Sequence, residues 1–432
     1  MKINIITLGC SKNTVDSENL AGQLKAQGHT VYFDRQRNDC DTVIVNTCGF
    51  IGDAKEESIN TILQQTRHKG KRIIVCGCLV ERYKEQLRKE IPEVDAWYGV
   101  HEWEAIANDL KDPKNIKELE DLKARPLSTP THNAYLKIAE GCNRSCSYCA
   151  IPLIRAAHKS RPIDDIVSEA RTLVQSGVKE LIVISQDTTW YGLDLYHRRA
   201  LGELLNRLAE ESGAPWIRLH YTYPSSFPED AIDAIVRHPN ICNYIDIPLQ
   251  HINSRILNSM QRGIDREGTL RLLDTFRAKL PDAAIRTTLI VGYPGETEAD
   301  FQELCDFVRA ARFDRMGCFA YSPEEGTPAE HLGDPVPDEV KQQRVSDLMA
   351  IQEQISLEKN QARVGKVYRC LVDRIEDEYI VARTEYDSPE VDDEVLIPAS
   401  GVACTPRPGD FVDACITDAT EHDLMGRLVT PA

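Results

Sequence analysis

The chain has 432 residues, a formal net charge of −17, 42% hydrophobic residues and 14 cysteines. Its length predicts roughly two to four domains at about 150 residues each, all with enough apolar content for a core. The acidity argues against unaided binding to a phosphate backbone and suits a basic protein partner, and no apolar run approaches the roughly 18 residues of a membrane helix.

Met1-Lys2-Ile3-Asn4-Ile5-Ile6 reads as the first strand of a fold, not as a signal peptide, so a cytoplasmic protein is expected. Disulfides are disfavoured there, which leaves the cysteines as metal ligands, catalytic groups or apolar fillers. Strands are predicted over residues 3–8, 42–46 and 72–76, with helices over 17–27 and 56–67. This βαβ rhythm predicts a doubly wound parallel sheet, whose ligands gather at the C-terminal strand ends. A polar stretch over 110–133, with Pro113, Pro126 and Pro130, reads as a linker.

A second series of strands follows, over 134–138, 180–185, 217–221, 244–247, 284–291 and 316–321, with helical patterns between most of them. Six such units predict a partial (β/α)6 barrel related to the TIM barrel, with its site on the loops after the strands. A long helix over 338–362 precedes short strands over 367–372, 379–382, 394–398 and 411–416, which predict a small β-barrel. The expected α/β organisation is therefore residues 1–125, 126–362 and 363–432.

Cys142, Cys146 and Cys149 form a CxxxCxxC motif directly after a strand. A four-iron cluster normally takes four cysteines, so three local ligands leave one iron open. A structural zinc site is the alternative, but zinc prefers four ligands, and no second pair lies at zinc-ribbon spacing. The motif resembles that of the radical S-adenosylmethionine (SAM) enzymes. The resemblance implies that SAM binds the open iron and is cleaved there to a 5′-deoxyadenosyl radical, the cofactor supplying the chemistry and the protein its position. Tyr148 fits the aromatic that contacts adenine in that superfamily, or packs on the cysteine loop.

Three more cysteines follow strands: Cys10, Cys48 and Cys78. On a parallel sheet these ends share one edge, so a second open cluster is geometrically sensible. The segments Leu8-Gly9-Cys10-Ser11-Lys12-Asn13, Asn46-Thr47-Cys48-Gly49-Phe50-Ile51 and Gly77-Cys78-Leu79 resemble those of the methylthiotransferase family. The resemblance covers nearly the whole chain. It implies an auxiliary 4Fe–4S cluster on Cys10, Cys48 and Cys78, hence two clusters plus SAM, and a C-terminal TRAM-like barrel. Cys76 competes with Cys78; the family's Gly-Cys-Leu favours Cys78. Cys40, Cys242, Cys305, Cys318, Cys370, Cys404 and Cys415 are expected to be structural.

Gln186 and Asp187 follow the second barrel strand, where the superfamily contacts the SAM amino group; Arg286 could contact its carboxylate. Gly292 and Gly295, in Gly292-Tyr293-Pro294-Gly295-Glu296-Thr297, would allow close backbone approach to the cofactor, or simply open a helix. His251, after Pro248-Leu249-Gln250, is either a residue of the barrel mouth or a polar core residue. One departure stands out: the family usually has a glycine and then a basic or polar residue where this chain has Ala156-Ala157.

Two branches of the family modify either an adenosine of tRNA or an aspartate on the twelfth protein of the small ribosomal subunit. Leu-Gly-Cys-Ser-Lys-Asn at Cys10, Gly-Phe-Ile after Cys48, the acids Glu324 and Glu325, and the segment 384–392 resemble the ribosomal branch. Residues 364–432 carry 15 Asp and Glu against 6 Lys and Arg, a balance of −9. Such a barrel should repel tRNA and attract a basic ribosomal protein, with Asp387, Glu390, Asp392 and Asp393 expected to dock it. The activity also implies an electron donor and a sulfur source. A non-catalytic iron–sulfur electron carrier is the alternative of a different class, although a carrier would normally fill its clusters with four cysteines.

Overall fold

The computed structural model describes residues 1–33, 37, 39–68, 70–111, 125–400 and 405–429. Cys404 and most of the expected linker lie outside them. The N-terminal strands are β1 (Lys2–Thr7), β2 (Thr30–Tyr32), β3 (Thr42–Thr47), β4 (Arg72–Gly77) and β5 (Ala96–Tyr98). They form one parallel sheet in the order β2-β1-β3-β4-β5. The order reverses between β1 and β3, which opens a crevice at their C-terminal ends. Apolar residues cover both faces, as a sheet buried on both sides requires. The first helix is Ser11–Ala26, longer than the predicted 17–27. Its opening turns bury Ser11, Lys12, Asn13, Asp16, Ser17 and Glu18, so the apolar period that signals a helix is absent there.

The central strands are β6 (Asn133–Lys137), the short pair β7 (Ala139–Glu140) and β8 (Lys159–Ser160), then β9 (Glu180–Ile184), β10 (Trp216–Leu219), β11 (Tyr244–Asp246), β12 (Ala284–Val291) and β13 (Arg315–Ala320). β6, β9 and β10 make one parallel sheet; β11, β12 and β13 make another. An isolated bridge between Ile217 and Ile241 spans the gap. One continuous core fills the space between these strands and the surrounding helices. The helix Asp338–Gln361 packs beside β13.

The C-terminal strands β14 (Val367–Glu376), β15 (Tyr379–Thr384), β16 (Glu394–Pro398), β17 (Phe411–Ala419) and β18 (Asp423–Leu428) close into a barrel in the order β14-β15-β16-β18-β17. The closing strand β18 was not expected; its alternating buried Leu424 and Gly426 carry little strand signal.

This small barrel seals the N-terminal ends of the central strands through buried ion pairs. Arg218 Nε reaches Glu180 Oε1 at 2.7 Å, and Arg383 Nη2 reaches Glu180 Oε2 at 2.8 Å. Arg383 also pairs with Asp373, which accepts from His132. Arg315 pairs with Asp387 and Asp393, and Arg286 with Asp246 and Asp392. Two expectations are thereby corrected. The side chains of Asp387, Asp392 and Asp393 are buried in this seam, at 0, 1 and 9% exposure, and cannot dock a partner; Glu390 alone of the four is exposed. Arg286 lies near the start of β12, away from its C-terminal end, and is held by two carboxylates.

Candidate active site

Cys10, Cys48 and Cys78 follow the C-terminal ends of β1, β3 and β4. Gly9 has φ +87°, and a Cβ there would lie 2.7 Å from Cys48 Cβ; a Cβ on Gly49 would lie 2.7 Å from the Leu79 backbone nitrogen. Side-chain-free positions thus let the three loops close on one another. Asn13 Nδ2 ties them further, donating to the carbonyls of Leu8 at 2.8 Å and Thr47 at 3.1 Å. Cys76 is fully buried in the core with Ile3, Ile44 and Ile74.

The second trio lies on the loop after β7. The Cys142 amide donates to the Ala156 carbonyl at 3.1 Å, that of Cys149 to Cys146 at 3.1 Å, and that of Ser147 to Met260 at 3.0 Å. Both trios face one cavity of about 320 Å³, lined by Cys10, Cys48, Cys78, Cys142, Cys146 and Cys149. Tyr148, Gln186 and Asp187 are also on its wall. An adjoining cavity of about 440 Å³ shares Phe50, Tyr148 and Gln250 and extends past Cys318 and Phe319. A larger cleft of about 600 Å³ beside Trp103 has no cysteine on its wall.

The N-terminal sheet is pinned over the mouth of the central barrel by charge. Arg155 reaches Asp16 at 2.7 Å and Glu140 at 3.2 Å, and Lys137 joins the same two acids. Burial raises the Glu140 carboxyl, but Lys137 and Arg155 outweigh it and hold the group down at about 2. Glu324 is buried between Lys55 at 2.7 Å and Arg82 at 2.9 Å.

Burial pushes the thiols of Cys78 and Cys149 up to about 12 and that of Cys142 to about 11. Against that, Arg155 Nη2 lies 3.4 Å from Cys78 Sγ and Arg262 Nη1 lies 3.4 Å from Cys146 Sγ. Buried thiols beside guanidiniums suit metal ligation, in which the metal displaces the proton and the cation balances the thiolate. Gln186 Oε1 and Gln250 Oε1 are buried without a hydrogen-bond partner among the described residues. The wall therefore offers both soft sulfur donors and free polar acceptors.

Other expected site residues are already engaged. Asp187 accepts Arg144 Nε at 2.7 Å and caps the turn at Thr189. Gln186 Nε2 donates to Glu140. Gly292 and Gly295 are not on the wall of this cavity and precede the helix Glu298–Ala311. A Cβ on Gly292 would lie 2.4 Å from Lys341 Cγ, so that glycine makes room for the long helix. His251 is fully buried, accepting the Asn253 amide at 3.0 Å, and belongs to the core. Lys12, Arg144, Arg155 and Arg262 had no assigned role in the sequence, although Lys12 sits inside the Cys10 motif.

Three family descriptions match the chain: an uncharacterized family, UPF0004, over residues 2–99; the radical SAM superfamily over 136–308; and a TRAM domain over 364–429. The chain is 54% identical over 429 residues to the ribosomal protein uS12 methylthiotransferase RimO of Flavobacterium psychrophilum, covering 98% of this chain and 97% of that one. It is 50% identical to the RimO of Parabacteroides distasonis, over 99% of both. The chain belongs to the RimO family of methylthiotransferases. Two solved structures share the fold. The radical SAM methyltransferase TsrM of Kitasatospora setae is 14% identical with a TM-score of 0.55 over 76% of each chain. The cobalamin-dependent radical enzyme OxsB is 12% identical with a TM-score of 0.52, over 82% of this chain and 56% of its own.

Within this RimO-family chain, Ala156 occupies the position where a glycine was expected. It has φ 58° and ψ −164°, a region open essentially to glycine alone. Its carbonyl is the acceptor for the Cys142 amide, so the strained residue supports the central cysteine loop. Among the described residues of this RimO-family member, no helix is long and apolar enough to cross a membrane.

Proposed function

We propose that this chain adds a methylthio group to the β-carbon of an aspartate of ribosomal protein uS12. The observation that carries the proposal is the convergence of two cysteine trios on one cavity, in a chain half-identical to RimO proteins over its whole length. Cys142, Cys146 and Cys149 would hold one 4Fe–4S cluster, with an iron open to SAM. Cys10, Cys48 and Cys78 would hold a second. When bound, these groups supply radical chemistry able to break a C–H bond that no ordinary base can deprotonate. Gln186 and Gln250 offer carbonyl oxygens to an ammonium group, and Tyr148 offers an aromatic face. Arg155 and Arg262 balance thiolate charge, and the N-terminal sheet is held over the barrel mouth by the Arg155–Asp16 and Glu324–Arg82 ion pairs.

The partners are a basic ribosomal protein, an electron donor and a sulfur source, in the cytoplasm. Exposed acids on the C-terminal barrel disfavour tRNA. An electron carrier would have no use for a cavity between two incomplete cysteine sets.

Anaerobic reconstitution should give about eight irons per chain. Joint replacement of Cys142, Cys146 and Cys149 by Ala should remove half the iron and all SAM cleavage. Joint replacement of Cys10, Cys48 and Cys78 should remove the other half and abolish methylthiolation of uS12, read by mass spectrometry. Cys76→Ala should keep all its iron. Full iron in the second triple variant would defeat the two-cluster proposal, and modification of tRNA in place of uS12 would defeat the substrate.

A further inference from the structure

Four cationic side chains reach the cavity between the cysteine trios: Lys12, Arg144, Arg155 and Arg262. Three have evident partners. Arg144 pairs with Asp187 and lies over the rings of Trp190 and Tyr223. Arg155 pairs with Asp16 and Glu140. Arg262 bonds the Tyr148 hydroxyl, the Pro248 carbonyl and Cys146 Sγ. Lys12 differs. It is only 6% exposed, and among the described residues its ammonium has neither an ion-pair partner nor a hydrogen-bond acceptor. It lies 2.8 Å from the centroid of the Tyr221 ring.

An ammonium on a cavity wall, with most of its side chain buried, lacks much of its hydration, and one aromatic face replaces little of it. An anion entering the cavity would complete it. The location narrows the choice of anion. Lys12 stands two residues beyond Cys10, at the start of the helix Ser11–Ala26, while Tyr221 lies on the loop after β10. The ammonium therefore bridges the N-terminal sheet and the central barrel, in the space between the two trios.

We infer that Lys12 binds the side-chain carboxylate of the substrate aspartate. This rests on the uS12 aspartate proposed above and adds the residue that selects it. The carboxylate carbon is bonded directly to the β-carbon, so an ion pair to Lys12 fixes the reacting carbon one bond away, between the trios. The same pair rejects asparagine, whose amide presents no charge. Lys12 is thus a substrate-binding and specificity-determining residue.

The test is a double-substitution cycle on binding. Mass spectrometry first locates the aspartate that the unaltered enzyme modifies; that residue is then changed to Asn in uS12. Binding of both uS12 forms is measured by titration calorimetry on the reconstituted enzyme and on its Lys12→Met and Lys12→Arg variants. The Asp-to-Asn change should weaken binding to the unaltered enzyme about tenfold or more, as loss of a charge-assisted hydrogen bond does. It should cost less than about twofold in Lys12→Met, with discrimination kept in Lys12→Arg. Lys12→Gln replaces Lys12→Met should the latter not fold. An Asp-to-Asn cost equal in all enzymes would overturn the inference, leaving Lys12 a structural contact to Tyr221. Weakened SAM binding in Lys12→Met with Asp discrimination intact would also overturn it, assigning the charge to SAM. If the unaltered enzyme neither binds nor modifies uS12, the substrate proposal itself fails, a result distinct from both.

Discussion

Ala156→Gly should stabilise the protein, against the usual direction of such a change. Ala156 is exposed, so losing its methyl group empties no core space. At φ 58° and ψ −164° the alanine is in a region that costs a residue with a Cβ about 1–3 kcal/mol. The glycine gives back about 0.4–1 kcal/mol through the greater freedom of the unfolded chain. The net gain is about 0–2.6 kcal/mol, centred at about 1 kcal/mol, and at no more than about 2–4 °C per kcal/mol it raises the melting temperature by about one to a few degrees. The assay is thermal unfolding of the metal-free chain, with Ala157→Gly as control. Ala157 is equally exposed and is not among the residues with positive φ, so its replacement should cost stability. If the two variants fall in stability by similar amounts, Ala156 is not strained and the argument is refuted.

Arg383→Met should destabilise the seam between the small barrel and the central strands by about 3–5 kcal/mol in denaturant unfolding, because it leaves Glu180 and Asp373 buried and under-paired. Burial lifts the Asp393 carboxyl to about 7, above its ordinary 3.8. The folded state then holds a proton that the unfolded state releases, so this group's favourable contribution, full below about pH 4, fades as pH rises to about 7. Asp393→Asn should flatten stability over that range, and an unchanged pH profile would contradict the assignment. Joint replacement of the exposed Glu376, Asp377 and Glu378 by Lys should weaken uS12 binding at low salt, and the loss should shrink toward 1 M salt, where the Debye length is about 3 Å.

The strand ends that deliver Cys10, Cys48 and Cys78 were legible because β1, β3 and β4 are short apolar runs, and each of these cysteines lies just beyond one. The central motif was legible from local spacing alone. Other features depend on what the small barrel covers, which periodicity does not report. Acid counting showed that residues 364–432 are acidic, but not that Asp387, Asp392 and Asp393 face Arg315 and Arg286 in a buried seam. The strand holding Arg286 was expected over 284–291 and is found there, but Arg286 is its third residue and, at about 3.3 Å per residue, lies roughly 16 Å short of its C-terminal end. The start of the first helix was missed because its inward residues are polar, and their burial comes from the site they surround. Lys12 was visible within its motif, but its lack of a partner could be read only once the other three cations had found theirs.

The seam also sets an order for making the molecule. Synthesis runs from the N-terminus, so both cysteine trios leave the ribosome well before Arg383, Asp387 and Asp393 exist. In the folded chain those residues supply the buried partners of Glu180 and Arg315 beneath the central strands. The segment that covers these strand ends is therefore translated after every cysteine of both trios. A chain without residues 364–432 would keep all six of those cysteines while leaving Glu180, Arg286 and Arg315 without their small-barrel partners beneath the central strands.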